Sequence, residues 1–312
     1  MSSGPAQNAS LALAKRTFRT RKMRDSFYVI VGLSATILGM VTLSALVFTL
    51  YSDGHERFTY EFFTNFPSRS AVKAGILSAW VGSLLVIVST ALIGVPLGVT
   101  SGIYLEEYAP KNWITAIIEI NVNNLAGVPS IIFGLLALGL FVYVFGLGKT
   151  ILTAGLTLAL LILPIIIVST REATRAIPGS IREAAFAVGA TKWQVIWDHV
   201  LPYASAGVLT GTIIGIGRAI GETAPLVTIG ALTYIAFLPP SPISLEPPFV
   251  NFDWLFSPFT VMPIQTYNWT SRPDPAFHAN AAALALTLLC TTLTINATAI
   301  VLRYRLRKRI KW

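Results

Sequence analysis

Long apolar stretches constrain the fold of this chain more than any other feature of its sequence. Six segments, 27–50, 76–104, 125–147, 151–170, 208–237 and 281–302, exceed the length of about 18 residues that is typical of a membrane-spanning helix. Charged residues make up only 12% of the chain, which is about half their share in a soluble domain. We therefore predict an all-α membrane protein with six transmembrane helices.

Four prolines lie inside these segments: Pro96, Pro129, Pro164 and Pro225. Proline lacks the backbone donor and clashes with the preceding helical turn, so each is expected to bend or break its helix. Membrane proteins tolerate such breaks where neighbouring helices satisfy the freed carbonyl groups.

Basic residues determine the expected orientation. The tails 1–25 and 303–312 each contain six Lys or Arg residues, and basic segments stay on the cytoplasmic side of a membrane. Both termini are therefore predicted to be cytoplasmic, with a first transmembrane helix at 26–51 and a core at 70–302. The net charge of +9 follows from this topology, so we expect contact with membrane lipid and not with nucleic acid.

No nucleotide site is expected in this chain. The segment 145–150, FGLGKT, resembles the end of a phosphate-binding loop, but Tyr143 occupies the position that this pattern assigns to glycine. The segment also connects two spans instead of a strand and a helix. We predict neither a catalytic residue nor a metal site, and the single cysteine, Cys290, excludes an internal disulfide.

The cytoplasmic segment 171–207 is predicted to form two short helices joined at a glycine, an arrangement we call the elbow. Ser180 with Glu183, and Thr191 with Gln194, have the spacing of capping boxes. Gly189 suits the left-handed residue that ends a helix. An apolar stripe at helical spacing follows and is expected to end at Pro202: Trp193, Ile196, Trp197, Val200 and Leu201.

Residues 183–202, EAAFAVGATKWQVIWDHVLP, resemble the EAA loop of ABC-importer permeases. Glu183, Ala184, Ala185 and Gly189 occupy their motif positions, whereas His199 replaces an isoleucine. In that family the loop is a coupling helix that docks into a separate ATPase subunit. The resemblance implies that these four matching residues contact an ATPase, and that this partner binds ATP and Mg²⁺.

Three further stretches narrow the resemblance. GVPSIIFGLLALGLF at 127–141, GRAIGETAPL at 217–226 and VMPIQTYNW at 261–269 are similar to the PstA family of phosphate-specific ABC permeases. This resemblance covers about 70–302 and implies import of inorganic phosphate by alternating access. It also implies three partners: a PstC-like second permease, two copies of a PstB-like ATPase and a PstS-like external phosphate-binding protein.

Arg218 and Glu222 interrupt an otherwise apolar span, where a charge costs about 2.5–3.5 kcal/mol on insertion scales. Residues four apart share one helix face, and a guanidinium is suited to binding phosphate. Our hypothesis is that Arg218 attracts the passing anion, while Glu222 orients Arg218 and prevents overly tight binding. A purely structural pair that locks the fifth span to a neighbour is the alternative.

Other polar and small residues are weaker candidates. Thr223, Asn123 and Asn124 are predicted to line the pathway, although the two asparagines can instead cap the start of the third span. Glycines recur every fourth residue at 207, 211 and 215. Because such ridges allow close helix contact, we expect the fifth span to lie at a subunit interface.

The external loop 238–280 is rich in proline and aromatic residues and is expected to fold as a cap. The resemblance suggests that this cap meets the PstS-like protein, whereas an interfacial belt of Trp and Tyr is the alternative.

Two rival functions remain open from the sequence. An ABC permease for molybdate or sulfate would carry the same coupling loop. An ion-coupled secondary transporter would use Glu222 as a proton relay and would leave the elbow unexplained.

Overall fold

A computed structural model describes residues 5–243 and 249–309, with side chains for 21–22, 24–243 and 249–305. Several basic residues of the two tails, among them Lys15, Arg16 and Arg307, therefore lie outside the described side chains. Within the described part, five helices are long and apolar enough to cross a membrane, and a sixth span results if one bent helix pair is counted. The predicted location of both termini in the cytoplasm corresponds to the count of six spans.

The helices follow one another along the chain with short connections. They are α1 (Pro5–Gly54), α2 (Tyr60–Thr64), α3 (Leu77–Ile103), α4 (Trp113–Leu125), α5 (Ser130–Ala137), α6 (Ile151–Arg175), α7 (Gly179–Ala187), α8 (Lys192–Gln194), α9 (Leu201–Gly221), α10 (Ala224–Thr228), α11 (Met262–Thr270) and α12 (Ala276–Arg309). Wider π-helical turns extend α3 over Tyr104–Tyr108 and α5 over Leu138–Val144, and another, Val195–Val200, joins α8 to α9.

The chain divides into two units, Met1–Ser52 and Asp53–Trp312. The first unit consists of most of α1, whose apolar side chains between residues 27 and 51 are largely exposed. A helix that is apolar on every side is typical of a lipid-facing span.

Helix α6 is the most deeply buried span of the second unit, because 67% of the residues in its 18-residue apolar stretch are buried. Glycines of α3 pack against it: a Cβ at Gly98 would lie 2.7 Å from Ile166 Cγ2, and one at Gly102 would lie 2.7 Å from Thr170 Cβ. Only residues without a side chain allow backbones to approach this closely.

The glycine ridge of α9 also packs on α6. Gly207, Gly211 and Gly215 lie against Ala173, Ser169 and Ile162. The ridge therefore joins two helices of the same chain, and the predicted subunit interface does not follow from it.

The third predicted span is broken. Helices α4 and α5 are bent by 108° at residues 126–129, where Pro129 precedes the first residue of α5. The bend lies at Pro129, as predicted, but the helical pair begins at Trp113, before the span proposed at 125–147.

The fifth predicted span also differs from the prediction at both ends. The helix starts at Lys192 and continues through Pro202, which lies in the first turn of α9. Pro202 therefore does not end the helix of the elbow. At the far end α9 stops at Gly221, and the chain beyond Gly230 is not helical as far as residue 237. Pro96 and Pro164 likewise lie inside the continuous helices α3 and α6.

The described part of the external loop packs on the outer ends of the spans. The backbone amide of Ile151 donates to Ser257 O at 3.1 Å, and that of Leu232 donates to Phe259 O at 3.1 Å. Trp254 and Trp269 are buried, whereas Phe252, Phe256 and Tyr267 are exposed. Residues 244–248 of this loop lie outside the described residues.

Candidate translocation pathway and coupling elbow

Arg218 and Glu222 form an ion pair at the end of a helix, and not in the middle of one. The Nε of Arg218 donates to Oε1 of Glu222 at 3.1 Å. Arg218 lies in the last turn of α9, and Glu222 is the first residue beyond it, with extended backbone. The Arg218 side chain is 38% exposed and that of Glu222 is 16% exposed, so the guanidinium remains accessible.

Pro225 explains where α9 ends. If the helix continued, the ring of Pro225 would clash with the carbonyl of the residue four positions earlier, which is Gly221. The chain instead leaves the helix at Glu222 and Thr223, and Pro225 occupies the first turn of α10. Interrupted helices at membrane depth expose backbone groups that can bind ions or substrates.

The second broken helix meets the first at this point. A Cβ at Gly134 of α5 would lie 2.6 Å from Pro225 Cα and would also collide with the Thr228 hydroxyl. Gly134 therefore allows α5 to pack directly on α10. Phe133 and Leu226, next to these contacts, belong to the main hydrophobic core, so the core holds both interrupted helices.

The remaining predicted pathway residues are only partly brought together. Thr223 is half-buried between α9 and α10, next to Glu222 in the chain. Asn123 and Asn124 are exposed in the last turn of α4. They cannot cap the start of that helix, because Asn112 does so by accepting from the Thr115 amide at 2.9 Å. Among the described residues, no hydrogen bond joins either asparagine to Arg218 or Glu222.

The elbow consists of α7, a turn at Gly189 and the start of the long helix α8–α9. Gly189 has a φ of 85°, which confirms the predicted left-handed helix end. The capping box of Thr191 and Gln194 is present, but Ser180 does not cap α7, which begins at Gly179 after Pro178.

The four residues predicted to contact an ATPase do not share one face. Glu183, Ala184 and Gly189 are exposed, whereas Ala185 is only 6% exposed and packs with Ile177 inside the elbow. Ala185 therefore stabilises the elbow and is not available to a partner.

The structure adds exposed residues that the motif did not indicate. Phe186 and Val188 are 48% and 85% exposed, and they flank the exposed Ala187. Large apolar side chains on a cytoplasmic surface are typical of a docking site. In the sequence, the only indication that these residues belong to the exposed surface was their position between Glu183 and Gly189 of the motif.

The predicted apolar stripe of the elbow is divided between two surfaces. Ile196 and Val200 are buried, while Trp193 and Trp197 are exposed and stack with ring centroids 5.5 Å apart. The wider π turn over Val195–Val200 rotates successive residues less regularly than an α-helix, so the expected spacing does not produce one face.

An ion-pair cluster joins the π turn after α3, the middle of α4, the end of α6 and α7. Its members are Glu106, Glu107, Glu119, Arg171, Arg175 and Arg182. Glu106 accepts two hydrogen bonds from Arg175, at 2.9 and 2.7 Å. Arg171 pairs with Glu119 at 2.6 Å and lies 3.6 Å from Glu106. The bidentate contact of Arg175 with Glu106 is the strong form of this interaction and joins α6 to the turn after α3, whereas the Arg171–Glu119 pair joins α6 to α4.

Arg182 connects the elbow to this cluster. Its guanidinium donates to Glu107 at 3.1 and 2.7 Å, and to the carbonyl oxygens of Ile177 and Thr174 at 2.8 and 2.9 Å. The Arg182 side chain is 21% exposed and that of Glu107 is 11% exposed. One residue of α7 therefore binds both the end of α3 and the end of α6.

Known proteins resemble this chain over most of its length. Residues 94–312 match the family described as binding-protein-dependent transport system inner membrane component. The chain is 32% identical over 278 residues to the phosphate transport system permease protein PstA of Haemophilus influenzae, covering 88% of this chain and 93% of that protein. It is 30% identical over 285 residues to the probable ABC transporter permease protein YqgI of Bacillus subtilis, covering 89% and 95%.

A solved structure has the same fold. A chain of the MetNI methionine ABC transporter in an inward-facing conformation matches with a TM-score of 0.56 and 18% identity, covering 74% of this chain and 95% of that one. At this identity the likeness concerns the arrangement of helices.

Proposed function

Because this chain belongs to the family of binding-protein-dependent transport system inner membrane components, and is therefore an ABC transporter permease subunit of the cytoplasmic membrane, we propose that it translocates inorganic phosphate into the cell. Several similar proteins are named as phosphate transport system permeases. The proposal agrees with the phosphate-specific resemblance of the segment 217–226.

The Arg218–Glu222 pair carries this proposal. Arg218 is a partly exposed cation beside a helix break, and only its Nε is used in the ion pair with Glu222. The remaining guanidinium donors are suited to two parallel hydrogen bonds with a tetrahedral oxyanion. A cation at membrane depth lowers the electrostatic barrier that an anion meets in the low-dielectric interior.

Glu222 balances this attraction. A transport site must bind its substrate strongly enough to admit it and weakly enough to release it. The carboxylate 3.1 Å from Arg218 Nε neutralises part of the positive charge and holds the guanidinium in one orientation. Removing Glu222 would therefore favour retention of phosphate at Arg218.

Import against the membrane potential requires an external energy source. Moving each negative charge inward costs about 2.3 kcal/mol per 100 mV, and phosphate carries more than one negative charge on average near neutral pH. Members of this family work with ATPase and binding-protein components. We propose that a PstB-like ATPase dimer binds ATP and Mg²⁺ and docks on the exposed face of the elbow.

The remaining partners follow from the same proposal. A PstC-like permease would complete the pathway opposite Arg218, whose side chain is 38% exposed in this chain. A PstS-like protein would deliver phosphate to the external loop, where Phe252, Phe256 and Tyr267 are exposed.

The test is phosphate uptake by the complete complex reconstituted in lipid vesicles. The wild-type complex should import phosphate when ATP is supplied, and a tenfold excess of sulfate or molybdate should not compete. Arg218→Gln should reduce the uptake rate by roughly 10- to 100-fold, since it removes a charged hydrogen-bond donor worth about 1.5–3 kcal/mol. Arg218→Lys should retain the charge and lose the two-pronged contact.

Two outcomes would contradict the proposal. Competition by sulfate or molybdate at equal concentration would indicate a permease for another oxyanion. If either Arg218 variant assembles with its partners and transports at the native rate, then Arg218 does not act in the pathway.

A further inference from the structure

Helices α9 and α12 meet along a seam that contains polar contacts at two levels. The side-chain amide of Asn296 lies against Gly217, where an added Cβ would come within 3.0 Å of its Oδ1. The Nη1 of Arg303 donates to the Thr210 hydroxyl at 2.9 Å. The two contacts are seven residues apart on each helix and in opposite chain order, so both belong to one antiparallel seam two turns long.

The contact between Arg303 and Thr210 contains a cation for which the described residues provide no carboxylate partner. Arg303 is half-buried, and among the described residues its guanidinium reaches the neutral hydroxyl of Thr210 and no Asp or Glu within ion-pair distance. Arg218, in contrast, is partly neutralised by Glu222. A partly desolvated cation with only a neutral partner retains its positive potential and favours an anion beside it.

The position of Arg303 places this potential on the cytoplasmic side of Arg218. Thr210 precedes Arg218 by eight residues of continuous helix, a separation of about 12 Å along the axis. Helix α9 begins at the elbow and ends at the Arg218 level, so Thr210 lies between the two. Arg303 therefore lies about two helical turns of α9 to the cytoplasmic side of Arg218.

Asn296 shows that the seam is not optimised for packing alone. Its Oδ1 is buried without a hydrogen-bond partner, and leaving such a group unpaired costs about 1–3 kcal/mol. An apolar side chain would fill the space beside Gly217 without this cost. A polar group retained at the level of Arg218 is typical of a pathway wall.

We propose that Arg303 and Thr210 form a second oxyanion subsite, on the cytoplasmic side of Arg218, with Asn296 lining the path between the two sites. The inference rests on the proposed function, since it takes phosphate as the anion. The guanidinium supplies the charge and the donors. The Thr210 hydroxyl, which donates to Ala206 O at 2.7 Å, accepts from Arg303 and holds the guanidinium in position. Two moderate sites in series let an anion pass without being held at either one.

Arg305 offers a matched control for this proposal. It is a second arginine on the same helix, two residues away, exposed and outside the seam. Topology and attraction to lipid headgroups depend on both arginines alike. Of these two arginines, only Arg303 has a pathway role in the proposal.

The first experiment compares phosphate uptake by reconstituted complexes that carry Arg303→Gln or Arg305→Gln. Arg303→Gln should lower the maximal uptake rate by about tenfold or more, which corresponds to the loss of one charge-assisted hydrogen bond. Arg305→Gln should leave the rate within about twofold of wild type, as is usual for an exposed charge. Equal effects of the two variants, or native uptake by Arg303→Gln, would overturn the proposal.

The second experiment keeps the proposal testable if Arg303→Gln fails to assemble. Thr210→Cys, made together with Cys290→Ser, presents a thiol at the subsite without changing any charge. Inorganic phosphate should slow its reaction with a water-soluble maleimide added from the cytoplasmic side, and an unchanged reaction rate would overturn the proposal. Failure of the wild-type complex to import phosphate would instead contradict the proposed function.

Discussion

At the scale of single residues, Gly134 determines how closely the two interrupted helices approach. Its Cα faces the backbone of Pro225, and a Cβ there would come within 2.6 Å of Pro225 Cα. Backbone atoms cannot move aside as the end of a flexible side chain can. Gly139, five residues later in the same helical segment, is exposed, and a Cβ added to it would have no neighbour within 4 Å.

Gly134→Ala should therefore destabilise the protein, and Gly139→Ala should not. Overpacking at Gly134 is expected to cost about 1–3 kcal/mol, more than the 0.5–1 kcal/mol or so that alanine usually contributes to a helix. The thermal midpoint of the purified complex in detergent, measured for both variants, checks this. Equal midpoints for the two variants would mean that α5 and α10 do not pack as described.

At the scale of elements, Arg182 forms the polar connection between α7 and the ends of two spans. It binds Glu107 at the end of α3 and two carbonyl oxygens at the end of α6. Because the pair is mostly buried, breaking it leaves a partly desolvated charge, which is far more costly than losing a surface pair. We therefore expect a displacement of α7 to be transmitted to both helices.

Glu107→Gln and Arg182→Gln should separate ATP hydrolysis from transport. Each variant is expected to retain ATPase activity in the complex while phosphate uptake falls by about tenfold, given a loss of 1.5–3 kcal/mol for a charge-assisted hydrogen bond. Glu172→Gln, at an exposed site outside the ion-pair cluster, serves as the control. A parallel fall in hydrolysis and uptake would indicate loss of assembly and would contradict a coupling role for this pair.

Element boundaries show what the sequence could and could not predict. Apolar length identified the spans around α3, α6, α9 and α12, but it carried the fifth span past Gly221, because residues 223–237 are nearly as apolar as those before them. Four prolines looked alike in the sequence, yet only those at 129 and 225 lie at breaks. Pro96 and Pro164 instead lie inside the continuous helices α3 and α6.

The candidate site also contains some contacts that the sequence could predict and others that it could not. The Arg218–Glu222 pair was predictable, since residues four apart on a helix are neighbours. The pair of Arg175 and Glu106 joins residues 69 positions apart, and only the packing of α3 on α6 brings them together. Glycine periodicity indicated close packing on α9, but the sequence could not identify α6 as the partner.

At the scale of the whole molecule, one candidate span, Lys192–Gly221, separates the elbow from the external loop. We therefore expect the two on opposite sides of the membrane, with the basic elbow in the cytoplasm. In a Cys290→Ser background, Phe186→Cys should react with a membrane-impermeant thiol reagent only from the cytoplasmic side. Tyr267→Cys, at a residue 62% exposed, should react only from outside. Labelling of both positions from one side of intact cells would contradict this topology.

The unbroken course of the helix from Lys192 to Gly221, 30 residues, has a mechanical consequence. At about 1.5 Å per residue it is a lever arm of about 45 Å, with one end in the elbow and the other at Arg218. Rotating it by about 5° around the elbow end would displace the far end by roughly 4 Å. Arg218 and Glu222 both lie at this far end, so a small angular change at the elbow is sufficient to move the ion pair as a unit relative to the helices around it.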